Sequence, residues 1–188
     1  MRTHIYLVRH AESHFRFGEE RERGISEAGA QAAKRVADLL RTEGIDVVVS
    51  SPYARAVLTV QPLAEQLNLP ILPYEALHER FVEGDHQVSW EEKKQAIKMS
   101  FEDPDYAMDG GESTRAAQQR VIPVLMDLLD SYRGKRIVIG THGNIMTVMM
   151  NYYDHSYGYA FWEQTSMPDI YRMTFEGNQL QQIVRLWQ

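Results

Sequence analysis

The chain has no cysteine in its 188 residues. That excludes a disulfide framework, a thiolate nucleophile and a cysteine-bound zinc, so any covalent chemistry must come from other side chains. It also suits a reducing compartment, and a cytoplasmic location is the expectation. Long apolar runs are missing too. Nothing approaches the ~18 uninterrupted apolar residues of a membrane span, and the richest stretch, Val121–Leu129, is broken by Pro123 and Asp127. The opening MRTHIYLVRH has no sustained apolar segment before Arg9, which speaks against a secretory signal. Basic residues are the minority: 20 Lys and Arg against 26 Asp and Glu give a formal charge of −6. Broad nucleic-acid binding normally needs a basic face, so nucleic acid and membrane partners are not expected. An anionic small molecule remains admissible, because a pocket can be locally positive on an acidic protein.

What is present reads as alternating strands and helices. Ile5–Val8 is a short apolar run ending abruptly at Arg9-His10, the pattern of a buried strand. Residues 11–25 interleave Glu12, Glu19, Glu20 and Glu22 with Arg16, Arg21 and Arg23, and read as a solvated loop. Ser26 has the position of an N-cap for a helix whose inner face carries Ala33, Val36, Ala37 and Leu40, with Gly44 beyond its end. Val47–Val49 is a second strand. Ser51-Pro52 then opens a helix with proline in its first turn, and Pro62 is expected to kink it. Ile71–Leu72 reads as a short third strand. Ser113 caps a helix with Val121, Val124, Leu125, Leu128 and Leu129 on one side; Ile137–Ile139 is a further strand, followed by the apolar segment Ile145–Met150, whose methionines suit core packing. Ile170–Phe175, Gly177-Asn178 and Leu180–Leu186 read as a terminal hairpin.

The pattern predicts an α/β fold, a three-layer α/β/α sandwich on a mostly parallel sheet, closed by that hairpin. One domain is expected over residues 1–188. Residues 78–112 interrupt the alternation and are too short to bury their own core, so they are expected to form a cap insertion over a ligand site.

Arg9, His10, Arg55 and His142 each fall at or just past the C-terminal end of a predicted strand. Ligands of open parallel sheets bind outside those ends, so separate segments deliver ionisable groups to one place. Two arginines, two histidines and a helix N-terminus describe an anion site, and a phosphoryl group uses such a donor set better than a carboxylate does. Each residue alone has an ordinary surface or turn explanation; their convergence on one sheet edge is what carries the reading.

Leu7-Val8-Arg9-His10-Ala11-Glu12-Ser13 resembles the Arg-His-Gly-Glu-Ser/Thr signature of the histidine phosphatase superfamily, which includes the phosphoglycerate mutases. Ser50-Ser51-Pro52-Tyr53-Ala54-Arg55-Ala56, Glu79 in Leu77-His78-Glu79-Arg80, Gly111-Glu112-Ser113 and Thr141-His142-Gly143-Asn144 are similar to its later motifs, in the family's order. The resemblance implies a phosphohistidine mechanism without metal or other cofactor. His10 would be the nucleophile; Arg9, Arg55 and His142 would hold the phosphoryl oxygens; Glu79 would serve as acid and then base. Ser13 and Arg16 join the expected substrate contacts.

Three positions depart from the family pattern. Ala11 replaces a glycine. Arg16 stands where an asparagine donor is common, and either replaces it with a charged donor or points to solvent. After Glu79-Arg80 the chain reads Phe81-Val82-Glu83-Gly84-Asp85, which breaks the mutase continuation Tyr-Gly-x-Leu. The expected activity is hydrolysis of small phosphomonoesters. Mutase-type phosphoryl transfer and a binding protein without turnover stand as alternatives; the substrate and the oligomeric state are not readable.

Overall fold

The computed structural model describes residues Met1–Gln188. Six strands, β1 (Arg2–Arg9), β2 (Val47–Ser50), β3 (Ile71–Pro73), β4 (Arg136–Thr141), β5 (Asp169–Glu176) and β6 (Gln179–Arg185), form one sheet in the order β3-β2-β4-β1-β5-β6. The pairs β3-β2, β2-β4 and β4-β1 are parallel; β5 and β6 add an antiparallel hairpin at the far side. The expected sandwich and terminal hairpin are therefore both present.

Side-chain alternation along the strands explains the two covered faces. Ile5 and Leu7 of β1, with Ile137 and Ile139 of β4, face α4 (Thr114–Ser131) and α5 (Gly143–Tyr153) in a core that also holds Leu125, Leu128 and Met146. Tyr6, Val8 and Val138 point the other way, against Val36 and Leu40 of α1 (Glu27–Leu40) and Val60 and Leu63 of α2 (Ala54–Leu67). Both faces are dry, which is why the strands read as continuous apolar runs. Met146, Met149 and Met150 are all fully buried, as core packing requires.

The helix caps follow from the sequence. Ser26 accepts the amide of Gly29, and Ser113 accepts that of Ala116. One expectation needs correction. The second helix starts at Ala54, with Pro52 outside it. Ser51 is still tied to the sheet through Gly140 O at 2.8 Å, and its hydroxyl accepts the Tyr53 amide at 3.2 Å, so the chain cannot coil until Ala54. Pro62 lies inside that helix, which continues to Leu67 and ends at Asn68 in the left-handed conformation (φ 54°).

Within residues 78–112 lies α3 (Trp90–Glu102), opened by a capping box between Ser89 and Glu92. Ala96 and Ile97 pack with Val82 and with Trp162 of α6 (Tyr159–Gln164), a short helix the sequence reading missed. Six residues give too little periodicity to announce a helix.

Candidate active site

Because β1, β4 and β2 are parallel neighbours, their C-terminal ends share one edge of the sheet, and this edge carries the site. His10 follows β1 directly, its amide bonded to Thr141 O at 2.9 Å. His142 follows β4 as the N-cap residue of α5, and Arg55 lies in the first turn of α2. The His10 and His142 rings meet edge to face, 5.3 Å between centroids.

His10 Nδ1 lies 2.7 Å from Ala11 O. A carbonyl only accepts, so Nδ1 carries the proton of the neutral ring and Nε2 keeps a free lone pair. Burial holds this imidazole well below its ordinary 6.5, and the Arg55 guanidinium adds to the shift. His142 is held low by the same two causes. Its Nε2 is 2.9 Å from Ser51 Oγ. With the hydroxyl proton donated there, His142 presents Nδ1–H, which has no partner within the protein.

Two imidazoles buried in the neutral form make stability depend on pH. Above 6.5 both folded and unfolded histidines are neutral. Below it the unfolded chain binds protons that the folded one refuses, so stability is expected to fall as pH drops, by about 1.4 kcal/mol for each ring over the two units from pH 7.5 to 5.5. Denaturant titrations between pH 7.5 and 5.5 check this, and His10→Gln is expected to remove one ring's share of the slope.

The arginines supply the positive charge. Arg55 is 1% exposed, sits 5.2 Å from the Tyr53 ring centroid and donates to both the backbone and the carboxylate of Glu20. Arg9 donates to Thr165 O at 3.1 Å and Thr165 Oγ1 at 2.6 Å. Burial lowers the pKa of both guanidiniums. Gly143 explains how Arg9 fits: a Cβ there would stand 2.7 Å from the Arg9 guanidinium carbon. In Gly143→Ala the side chain of Arg9 has to yield rather than the backbone. An approximately 10²-fold drop in kcat/KM is expected with little change in thermal stability, read by phosphate release and a melting curve.

Glu79 accepts three backbone amides, from Arg80 at 2.8 Å, Ile145 at 2.9 Å and Asn144 at 3.1 Å. It thus satisfies the orphan N–H groups that open α5 while lining the same cleft as Arg9, His10 and Arg55. Ser13 also lines the cleft, where its hydroxyl accepts from Arg23 at 2.8 Å and donates to Gly24 O. Arg16 is not brought to the site. Its side chain is 69% exposed and paired with Glu19, the solvent-facing alternative.

The residue in its place is Arg23, which the sequence reading left in a solvated loop. Its side chain is 11% exposed, and it donates to Ser13 and to Glu20. The loop folds inward because the Ser26 amide bonds Glu12 O at 2.8 Å, closing residues 12–26 on themselves. Arg80 was also missed: it is 3% exposed, its Nε donates to Glu112 O, and burial lowers its pKa to about 10. The signal for both was available only as proximity to Ser26 and Glu79, without a spacing rule.

Six buried side-chain nitrogens lack a partner in the protein, and five of them belong to this edge: Arg9 Nε, Arg23 Nε, Arg55 Nε, His142 Nδ1 and Asn144 Nδ2. Buried donors are normally paired, so this concentration leaves one edge equipped to take an oxyanion with several acceptor oxygens.

A parallel-sheet edge with a neutral buried imidazole among guanidiniums defines a phosphoryl-binding α/β protein. The model of the histidine phosphatase superfamily (branch 1) matches residues 5–187, and the chain belongs to that family of phosphatases. It is 30% identical over 159 residues to phosphoserine phosphatase 1 of Hydrogenobacter thermophilus, covering 77% of this chain and 73% of the relative. It is 34% identical over 157 residues to phosphoglycerate mutase-like protein 4 of Arabidopsis thaliana, covering 76% and 67%. Among solved structures, a mycobacterial glucosyl-3-phosphoglycerate phosphatase with inorganic phosphate superposes with TM-score 0.76 at 20% identity, over 95% of this chain and 94% of the other. Phosphoserine phosphatase of Entamoeba histolytica, with 3-phosphoglyceric acid, gives 0.77 at 21% identity, over 96% of each chain. No helix is long and apolar enough to cross a membrane.

Proposed function

We propose that the chain hydrolyses phosphomonoesters of small metabolites through a phosphorylated His10, without a metal. The unpartnered donors around a neutral imidazole carry this reading. His10 Nε2 attacks phosphorus as the bond to the ester oxygen breaks, and Glu79 gives the leaving oxygen its proton. The charge developing on the equatorial oxygens falls among Arg9, Arg23, Arg55 and His142, groups already oriented before substrate arrives. Water then attacks phosphorus with Glu79 as base, the P–N bond breaks, and inorganic phosphate leaves with Nε2 restored. Oε2 of Glu79, which accepts a single amide, is the oxygen left to exchange the proton. Splitting the displacement in two lets one carboxyl group serve both halves.

A cytoplasmic setting, where phosphorylated metabolites and reduced thiols coexist, belongs to the same proposal. The test is rapid quenching with ³²P-labelled aryl phosphate in EDTA. A burst of acid-labile, base-stable phosphoprotein followed by steady phosphate release is the expected result. Turnover without phosphoprotein overturns the covalent step, and loss of activity in EDTA overturns metal independence. Efficient interconversion of 2- and 3-phosphoglycerate in a coupled assay would instead establish the mutase reading.

A further inference from the structure

Eight large apolar side chains are exposed on this protein: Met1, Phe15, Phe17, Leu58, Phe81, Trp90, Tyr152 and Met167. Single exposed hydrophobics are ordinary and need no account, but a cluster of them marks a binding surface. Five of the eight line the approach to His10. Phe15, Trp90 and Met167 border the cleft of about 220 Å³ that contains Arg9, His10 and Arg55. Phe15, Phe17 and Phe81 border an adjoining chamber of about 370 Å³, floored in part by Tyr53 and sharing Glu79 and Arg80 with the cleft. Phe81 lies 5.2 Å from the His78 ring, which stacks on Tyr53 at 5.9 Å, so the two lining residues Phe81 and Tyr53 are linked through His78.

The charges around the chamber decide what it accepts. Its acidic members are Glu20, Glu79, Glu83 and Asp85. Glu20 is bonded to Arg55, Glu79 to backbone amides, and Glu83 to Lys93 at 2.7 Å, so only Asp85 stands without a partner. The two basic members are equally engaged: Lys93 with Glu83, and Arg80 through Nε and Nη1 with Glu112 O and Asn144. A second carboxylate on the substrate would meet one ion-paired lysine, one guanidinium already bonded to neutral acceptors, and a surplus of acidic groups. A neutral ring would meet four aromatic side chains.

Resting on the phosphatase reading for the position of the phosphoryl group, we infer that the adjoining chamber receives an uncharged aromatic group, so the substrates are aryl or arylalkyl phosphomonoesters rather than small phosphorylated carboxylic acids. Phosphoglycerate and phosphoserine end within a few bonds of phosphorus and leave the chamber unfilled. A bicyclic ring carried on the same oxygen reaches Phe15, Phe17 and Phe81 and removes their faces from water.

Binding of phosphonates tests this independently of turnover. Calorimetric titration is expected to show 1-naphthylmethylphosphonate at least about tenfold tighter than phosphonoacetate. The double variant Phe17→Ala/Phe81→Ala is expected to bring that ratio close to one. Both positions are surface-exposed, 53% and 47%, so the fold does not depend on them. A native ratio of one or less, or a ratio unmoved by the double variant, overturns the assignment. So does tighter binding of phosphocholine than of the naphthyl compound, which would assign the chamber to a cation near Asp85. Hydrolysis is read separately. If the naphthyl phosphonate binds with the expected preference and no phosphomonoester is turned over, the chamber assignment stands and the phosphatase reading falls.

Discussion

Alanine in place of His10 is expected to lower kcat for phosphate release by about 10⁴-fold or more, the scale seen when a covalent nucleophile is removed and its oriented surroundings stay. Nothing nearby can substitute. His142 has Nε2 committed to Ser51, and the chain has no cysteine. Arg9, Arg55 and Arg23 cannot act as nucleophiles, since guanidinium has no available lone pair. The same variant keeps the anion-binding donors, so inorganic phosphate should still bind within about fivefold of the native affinity, because its oxygens meet the same charge-assisted hydrogen bonds. Malachite-green release assays and a phosphate titration separate the two effects. Activity within tenfold of native would reject His10 as the nucleophile.

Arg55→Ala is expected to cost about 10³-fold in kcat/KM, the loss typical of removing a preorganised charged donor. The guanidinium is almost fully buried, so no water shell stands ready to replace it. A second consequence has a sign of its own. Arg55 is the foremost charge depressing His10, so its removal lets the imidazole pKa rise. The acid limb of the kcat/KM profile is then expected to move to higher pH. Arg55→Lys keeps a positive charge and should hold the acid limb near its native position while recovering little of the rate, because an ammonium lacks the planar fork. An acid limb that stays in place in Arg55→Ala would remove Arg55 from the tuning of His10.

Much of this architecture is legible in the sequence. Ile5–Val8, Val47–Val49 and Ile137–Ile139 are short apolar runs that can only be strands covered on both faces. The residues just past them had to meet at one edge once those strands were parallel. Arg9, His10, Arg55 and His142 were legible for that reason. Arg23 was not, because its burial depends on a loop that closes through a backbone bond between Ser26 and Glu12, and backbone bonds leave no residue-type signature. Arg80 was missed because its partners, the Glu112 carbonyl and Asn144, are 32 and 64 residues away. The start of α2 was misplaced because proline in a first helical turn is the common pattern, and here Ser51 stays tied to the sheet.

Glu20 places a carboxylate oxygen 3.0 Å from Arg55 and 3.3 Å from Arg23. Two of the guanidiniums facing the cleft thus share a single carboxylate that belongs to the chain, which offsets part of their charge and leaves the pair net positive. On the proposed phosphatase reading, an incoming dianion therefore competes with a tethered monoanion whose local concentration does not fall on dilution. On the same reading the carboxylate also competes with inorganic phosphate after hydrolysis. A tethered competitor of lower charge weakens every anion that reaches Arg55 by a similar factor, so it limits product retention along with substrate affinity and favours turnover over tight binding.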